Sequence, residues 1–354
     1  EFGFRSVLYY PVRMCNYSLD FLMGGDAPIW LSDREIARIH QVPGALVAPW
    51  GWYHEGLDDG SPRRRRLFKH SAEGAPYDGW RIEQQQWKLI CTPYQIEESR
   101  RRFRGDMKAM DWIHYDVTAT SIGKEPCFRA DHALHDGRPI GRREEWREIL
   151  RLLGPETNGD RIVSSEGFTD RLTPAYDIGS SKLTVDPRNR TALPLPLTSL
   201  VFHDSTIHDW WEIHNYNVTP GFSVQCGRFG AFGNGWGAQK AAQDALYGQP
   251  PNVFPFGRQY GWTDVHSRRT FSFQIHVDDR AVQEALALAL PVARLHARIG
   301  RCAMTDFECL SDDGLLQASR FSDGTRIIAN LSDRPRDLPG GRPLAAHQWI
   351  QRRE

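Results

Sequence analysis

The sequence lacks the features that mark a membrane-spanning or exported chain. Its 354 residues contain no run of about 18 apolar residues, so we expect no membrane-spanning helix and no membrane partner. The N-terminus has neither an initiator Met nor the charged, apolar and small-residue zones of a signal peptide. We therefore expect a soluble chain that begins as a processed product or a fragment would, and the compartment stays open.

The sequence also lacks a net charge, because 44 Lys and Arg residues balance 44 Asp and Glu residues. A protein that binds a polyanion needs a basic surface, so we expect no nucleic-acid partner. The run Arg63-Arg64-Arg65-Arg66 lies in a segment, 58–78, that we interpret as a solvated surface loop. Nothing in the composition indicates an oligomeric state.

Closely spaced cysteines are missing as well. The six cysteines are scattered and form no CxxC pair, so the sequence predicts neither a zinc ribbon nor a dense disulfide framework. We expect structural roles for Cys127 and Cys226, because no local pattern indicates a thiol nucleophile. No cofactor and no catalytic metal are predicted.

Aromatic residues are abundant: 12 Trp, 11 Tyr and 17 Phe provide for a large core, while 31 Gly and 22 Pro indicate many loops. Short apolar or β-branched runs alternate with helical patterns. The predicted strands are 5–10, 45–50, 87–92, 111–117, 161–166 and 197–204, with a seventh near 252–256. The predicted helices are 32–40, 96–109, 142–153, 238–247 and 279–299.

This alternation predicts an α/β fold, a TIM-like (β/α)8 barrel over residues 1–299 whose opening strand can lie before Glu1. After the last helix the pattern changes to short strands joined by turns, as in 315–321 and 325–331 around Ser322-Asp323-Gly324. We therefore expect a small antiparallel β domain over residues 300–354.

Two predicted strands end in a carboxylate. Strand 111–117 alternates so that His114 and Asp116 share one face, and Glu166 ends strand 161–166. Carboxylates at the C-terminal rim of a barrel are often catalytic. Two other roles stay open, since Asp116 can cap the following turn and Glu166 can form a salt bridge with Arg161 or Arg171.

Two such carboxylates can flank one glycosidic bond. A retaining glycosidase holds its two carboxyl groups about 5–5.5 Å apart, whereas an inverting enzyme leaves roughly 6.5–9.5 Å for a water molecule. The sequence predicts that Asp116 and Glu166 form such a pair, but it does not predict the distance between their carboxyl groups.

A polar and aromatic stretch, HDSTIHDWWEIHNYN, begins at His203 and Asp204. It can bind sugar hydroxyls and stack on sugar rings through residues such as Trp210, although only one of His203 and Asp204 should point inward. Its histidines at 203, 208 and 214 also suggest a metal site, but their spacing is not that of a helical HExxH motif.

Two tryptophans follow another predicted strand, in PWGWYHEG. Trp50 and Trp52 can form an aromatic wall of a pocket, or they can pack beneath the long loop that follows.

Four segments together resemble a known family: DWIHYDVTA, RIVSSEG, PLPLTSLVFHD and RFSDGTRIIANLS. Their order is similar to that in barrel glycoside hydrolases related to the endo-α-N-acetylgalactosaminidases, including many uncharacterised bacterial relatives. The resemblance covers roughly residues 87–331. It implies a barrel with a C-terminal β domain, and this chain departs from the family by starting late, without a large N-terminal β domain.

The resemblance implies Asp116 as the nucleophile, Glu166 as the acid/base, and His203 or Asp204 as a sugar contact. We therefore expect a retaining glycosidase with a carbohydrate substrate. The alternatives are a catalytically silent, glycan-binding relative and a metal-dependent hydrolase that uses the histidines from His203 to His214.

Overall fold

The computed structural model forms two compact units, an N-terminal unit within Arg5–Gly179 and a C-terminal unit within Ser180–Glu354. Predicted strands 5–10 and 252–256 lie outside the described residues. Among the described residues, no helix is both long and apolar enough to cross a bilayer. The structure describes residues 32–48, 50–51, 54–82, 85–105, 107–115, 118–120, 124–165, 167–180, 195–209, 236–251, 262–263, 270–271, 280–338 and 341–353.

The N-terminal unit combines short strands with helices of one to four turns. Its helices are α1 (Asp33–Ile39), α2 (Pro62–Arg65), α3 (Thr92–Arg104), α4 (Arg142–Leu153) and α5 (Pro155–Asn158), with a 3-10 helix at Asp170–Ala175. Its strands are β1 (Trp50–Gly51), β2 (Glu55–Leu57), β3 (Asp78–Ile82), β4 (Gln85–Leu89), β5 (Trp112–Tyr115), β6 (Ile162–Ser165) and β7 (Ile178–Ser180).

A parallel sheet runs through this unit. Strand β1 pairs with β5, β5 with β6, and β6 with β7, all in parallel. Tyr115 lies opposite Ser165 at the C-terminal end of the β5–β6 pair. The predicted parallel pairing of segments 111–117 and 161–166 is therefore confirmed. The strands that the structure describes do not close into a barrel.

Helices cover one face of the parallel sheet. Apolar and polar side chains alternate along β5, so its apolar side chains all lie on that face. Ile113 and Tyr115 are fully buried in one hydrophobic cluster with residues of α1, α3 and α4. The Tyr115 hydroxyl donates to Asn158 Oδ1 at 2.8 Å, which satisfies this buried polar group. The opposite face of β5 carries the polar side chains of Trp112 and His114.

Strand β4 belongs to a second sheet, and this corrects the sequence prediction. Segment 87–92 was expected among the barrel strands, but β4 pairs antiparallel with both β2 and β3. Only two residues separate Ile82 from Gln85, and so short a connection can join only antiparallel neighbours.

The C-terminal unit combines three described helices of 6, 12 and 20 residues with an antiparallel sheet. Its helices are α6 (Leu197–Phe202), α7 (Trp236–Tyr247) and α8 (Arg280–Ile299). Its strands are β8 (Ile207–Asp209), β9 (Trp262–Thr263), β10 (Thr270–Phe271), β11 (Met304–Cys309), β12 (Leu316–Phe321), β13 (Thr325–Asn330), β14 (Arg336–Asp337), β15 (Pro343–Leu344) and β16 (Trp349–Arg353).

The antiparallel sheet has the strand order β11-β12-β13-β16. Its β12–β13 hairpin turns at Gly324, whose φ of +82° favours glycine, and it confirms the predicted C-terminal antiparallel structure. Helices α7 and α8 pack on one face of this sheet, and Leu246, Val292 and Phe321 are buried in their shared core.

Segment 197–204 forms helix α6 followed by a turn, so the predicted strand is wrong. A short run of apolar residues fits a buried strand and a buried helix equally well. Here Leu200 N–H donates to Pro196 O at 2.9 Å and His203 N–H donates to Ser199 O at 3.1 Å, and these i to i−4 bonds are those of a helix.

Candidate functional site

The polar face of β5 and β6 carries three linked side chains. Trp112 Nε1 donates to Ser164 Oγ at 2.7 Å, and His114 Nδ1 lies 2.9 Å from the same oxygen. Trp112 can only donate, so Ser164 Oγ accepts from it, and the Ser164 hydroxyl also lies 3.5 Å from Ile113 O. His114 is 5% exposed. The predicted alternation of β5 is confirmed by this arrangement.

The loops that leave β5 and β6 are in contact. Ala119 N–H donates to Ser165 Oγ at 2.8 Å, so the chain after β5 bonds to the last residue of β6. Gly167 has a φ of +84°, and a Cβ there would lie 2.5 Å from Thr120 Cγ2. Only glycine therefore allows this close approach of the two loops.

Several predicted site residues lie outside the described residues: Asp116, Glu166, Trp52, Trp210 and the His214 of the metal alternative. The backbone of Trp50 is described, and it lies opposite His114 in the β1–β5 pair. In the sequence, Asp116 directly follows Tyr115 and Glu166 directly follows Ser165, the two residues paired at the end of β5 and β6.

The two arginines considered as partners of Glu166 have other contacts. Arg161 donates from Nε to Met110 O at 3.0 Å and from Nη2 to Lys108 O at 3.1 Å. The Arg171 guanidinium lies 4.8 Å from the centre of the Trp146 ring. A salt bridge to Glu166 stays a prediction.

His203 binds the backbone of its own unit. Its Nδ1 lies 2.6 Å from Cys302 O and its Nε2 lies 2.8 Å from Gly248 O. Carbonyl oxygens only accept hydrogen bonds, so both ring nitrogens are directed at the protein, which favours a structural role. A sugar contact by His203 stays a prediction, as does one by Asp204, which is exposed in the turn after α6. His208 is buried in β8, and burial lowers its pKa to about 4.

A separate group of cysteines and histidines was missed by the sequence analysis. Cys91, Cys127, His132 and His135 are all buried, and their possible ligand atoms lie within 4.8 Å of one another. A hydrogen bond from Cys91 is the main cause that lowers the pKa of Cys127 to about 3, while burial raises the pKa of Cys91. The available signal was Cys127-x4-His132-x2-His135, but Cys91 is too distant in sequence to complete a recognisable motif.

Comparison with known proteins finds no matching family model and no matching curated protein, whereas solved structures do match. The α-N-acetylgalactosaminidase NagBb from Bifidobacterium bifidum, in its GalNAc complex, aligns with a TM-score of 0.59 and 18% identity over 84% of this chain and 42% of its own. Its Gal-NHAc-DNJ complex aligns with a TM-score of 0.63 and 16% identity, over 92% of this chain and 48% of its own. The chain thus spans less than half the length of NagBb.

The type III pullulan hydrolase from Thermococcus kodakarensis aligns over 100% of this chain and 69% of its own, with a TM-score of 0.55 and 13% identity. These neighbours are TIM-barrel glycoside hydrolases. This chain has a glycoside hydrolase-like fold. Ttha1563 from Thermus thermophilus also aligns, over 100% of this chain and 87% of its own, with a TM-score of 0.59 and 14% identity. At such identities the likeness shows the fold alone.

Proposed function

We propose that the chain is the catalytic part of a retaining glycoside hydrolase, with Asp116 as the nucleophile and Glu166 as the acid/base. The observation that carries the proposal is the parallel register of β5 and β6, in which Tyr115 and Ser165 are opposite each other. The next residue in each strand segment is one of the two carboxylates. Neighbouring strand ends are where a barrel enzyme holds a catalytic pair.

The contact between the loops supports this proposal. Ser165 and Ala119 are hydrogen-bonded, and Gly167 approaches Thr120 closely. The described residues on both sides of each carboxylate therefore belong to one connected region. A pair of groups that must act on one bond needs such fixed positions.

In the proposed reaction Asp116 attacks the anomeric carbon while Glu166 donates its proton to the leaving oxygen. The glycosidic bond breaks as the bond to the Asp116 carboxylate forms. Glu166, now a carboxylate, then takes a proton from water. The activated water attacks the anomeric carbon, which releases Asp116 and yields a sugar with its original configuration.

His114 is proposed as a sugar contact in this site. It lies on the polar face of β5, two residues before Asp116, and its orientation is fixed through Nδ1 by Ser164. An imidazole nitrogen can donate to or accept from a sugar hydroxyl. Trp50, Trp52 and Trp210 stay proposed as aromatic contacts.

The likeness to NagBb suggests which sugar to test first. An aryl α-N-acetylgalactosaminide is the first substrate to test, followed by aryl α- and β-glycosides of galactose, glucose and N-acetylglucosamine. Binding of a glycan without turnover of any member of the panel would instead favour the silent, glycan-binding relative.

Two conservative variants test the proposed pair. Asp116→Asn and Glu166→Gln should each lower kcat/KM on the cleaved glycoside by at least about 10³-fold, because each removes an essential carboxylate at nearly constant volume. Asp160→Asn and Glu97→Gln are matched controls, since both change an exposed carboxyl group of the same unit and should keep the parental rate. Near-parental rates in both test variants would refute the assignment.

A further inference from the structure

The buried cysteine and histidine group, which the proposed glycosidase reaction does not use, combines three parts of the N-terminal unit. Cys91 is the residue that precedes α3, and Cys127 forms an isolated β-bridge with Ile140. His132 and His135 lie in the turns between these two bridge residues. All four side chains are at most 3% exposed.

We propose that Cys91, Cys127, His132 and His135 bind one zinc ion with a structural role. This set of two sulfur and two nitrogen ligands is one that zinc binds in a tetrahedral arrangement. The site is independent of Asp116 and Glu166, and the proposal holds whether or not the chain cleaves a glycoside.

The spacing of the donor atoms fits a tetrahedral ion. Zn–S bonds of about 2.3 Å and Zn–N bonds of about 2.0–2.1 Å place neighbouring donors roughly 3.3–3.8 Å apart. His132 Nδ1 lies 3.3 Å from His135 Nε2, and Cys127 Sγ lies 3.8 Å from His132 Nδ1. Cys91 Sγ lies 3.0 Å from His135 Nε2, so this edge must lengthen by about 0.5 Å when the ion binds.

Neighbouring groups orient the ligands. His135 Nδ1 lies 2.7 Å from Arg129 O, and a carbonyl can only accept, so the ring proton is on Nδ1. His135 Nε2 is therefore unprotonated and directed at the cluster, as a zinc ligand requires. His70 N–H donates to Cys127 Sγ at 3.4 Å, which favours the thiolate form of this ligand.

The charge balance suits a buried site. Two thiolates and two neutral imidazoles around Zn2+ give a net charge of zero, so the ion needs no further counter-charge in the interior. Four protein ligands also leave no open coordination position, which is typical of a structural rather than a catalytic zinc.

The ion would hold an irregular segment in place. Between β5 and α4 the chain from Cys127 to Ile140 has little regular structure, and His135 is 44 residues from Cys91. An ion bound across this separation would tie the segment to the beginning of α3, and its binding energy would add to the stability of the folded chain.

Metal analysis of the full chain, purified under reducing conditions, tests the proposal. Inductively coupled plasma mass spectrometry should find about one zinc per chain in the parent and in Cys309→Ser, a control that changes an exposed cysteine. Cys127→Ala and His135→Gln should each lose at least about nine-tenths of this zinc. Zinc content that is unchanged in both ligand variants would overturn the proposal.

A second measurement keeps the test valid if the variants do not fold. Parent protein depleted of metal by a chelator should bind one equivalent of Co2+ and show tetrahedral d–d bands together with thiolate-to-cobalt charge transfer. Absence of these bands would overturn the proposal, as would mass spectrometry that shows a Cys91–Cys127 disulfide in the freshly purified chain. One equivalent of copper or iron in place of zinc would also overturn the assignment of the ion.

Discussion

At the scale of single residues, the N-terminal unit contains a buried ion pair. Lys69 Nζ and Thr92 Oγ1 both donate to Glu145 Oε1, and the side chains of Lys69 and Glu145 are at most 1% exposed. Removing one member of such a pair leaves an uncompensated charge in the interior.

We therefore expect Glu145→Gln to lower the free energy of unfolding by about 3–5 kcal/mol. The double variant Lys69→Met, Glu145→Leu should lose less, because it removes both charges together. Urea titrations of the parent and the two variants measure this, and an equal or larger loss in the double variant would contradict it.

Lys124 is a second buried charge, and its stability effect depends on pH. Burial is the main cause that lowers its pKa to about 7, and the charge of Lys69 acts in the same direction, whereas Glu145 and Glu125 oppose it. Between pH 7 and about 10.5 the unfolded chain binds a proton that the folded chain has released. The Lys124 contribution to stability therefore rises with pH through this range.

The variant Lys124→Met should reveal this contribution. Relative to the parent, its gain in stability should be largest near pH 7, because the cost of burying Lys124 is greatest at that end of the range, and the gain should shrink towards pH 10. Lys108→Met, which changes an exposed lysine, is the control. Urea midpoints measured across this range should show the trend for Lys124→Met only; a gain independent of pH would contradict the assigned shift.

Some side-chain positions in the N-terminal unit could be predicted from the sequence, and others could not. The alternation of β5 predicted the face shared by Trp112 and His114, because a strand has a fixed period of two. The same sequence did not predict the Cys91 to His135 contact, since it depends on chain segments 44 residues apart that meet only in the folded unit.

At the scale of elements, both ends of helix α4 could be predicted from the sequence. Helix 142–153 was predicted and found with the same bounds. Glu144 accepts from the Gly141 N–H at 2.9 Å at its beginning, and Gly154-Pro155 ends it. Helix α6 has no comparable local signal, and its short apolar run predicts a strand instead.

The end of α7 depends on one glycine. Gly248 has a φ of +69°, and a Cβ there would lie 2.1 Å from His203 Nε2 and 2.8 Å from Phe321 Cε1. A side chain would therefore displace His203 from the two carbonyls that it binds after α6.

We expect Gly248→Ala to destabilise the chain by about 2–4 kcal/mol, from backbone strain of about 1 kcal/mol and the lost His203 contacts. Gly341→Ala is the matched control in the same unit, because Gly341 also has a positive φ but a Cβ at this position would have no atom within 4 Å. It should cost about 1 kcal/mol. Equal losses of thermal stability in the two variants would show that the His203 contacts contribute little.

At the scale of the whole molecule, the sequence predicted part of the fold, since the described strands do not close into a barrel. The parallel β5–β6 pair and the C-terminal antiparallel sheet were both expected, and the solved neighbours are TIM-barrel glycoside hydrolases. The boundary between residues 299 and 300 stays a prediction. Ile299 and Met304 lie on its two sides in one core cluster, a contact that no local pattern could show.

The two carboxylates Asp116 and Glu166 have different proposed roles, and rescue by azide separates these roles. On an aryl glycoside with an activated leaving group, Glu166→Ala should form the glycosyl-enzyme and then stall, because it lacks the base that activates water. Azide should restore turnover and give a glycosyl azide with the configuration of the substrate. Asp116→Ala should form no such intermediate, and azide in the space left by the carboxylate should give the opposite anomer.

The most direct measurement is therefore the anomeric configuration, by NMR, of the glycosyl azide made by each of these two variants. We expect retention with Glu166→Ala and inversion with Asp116→Ala. The same configuration from both variants, or the reverse assignment, would contradict it.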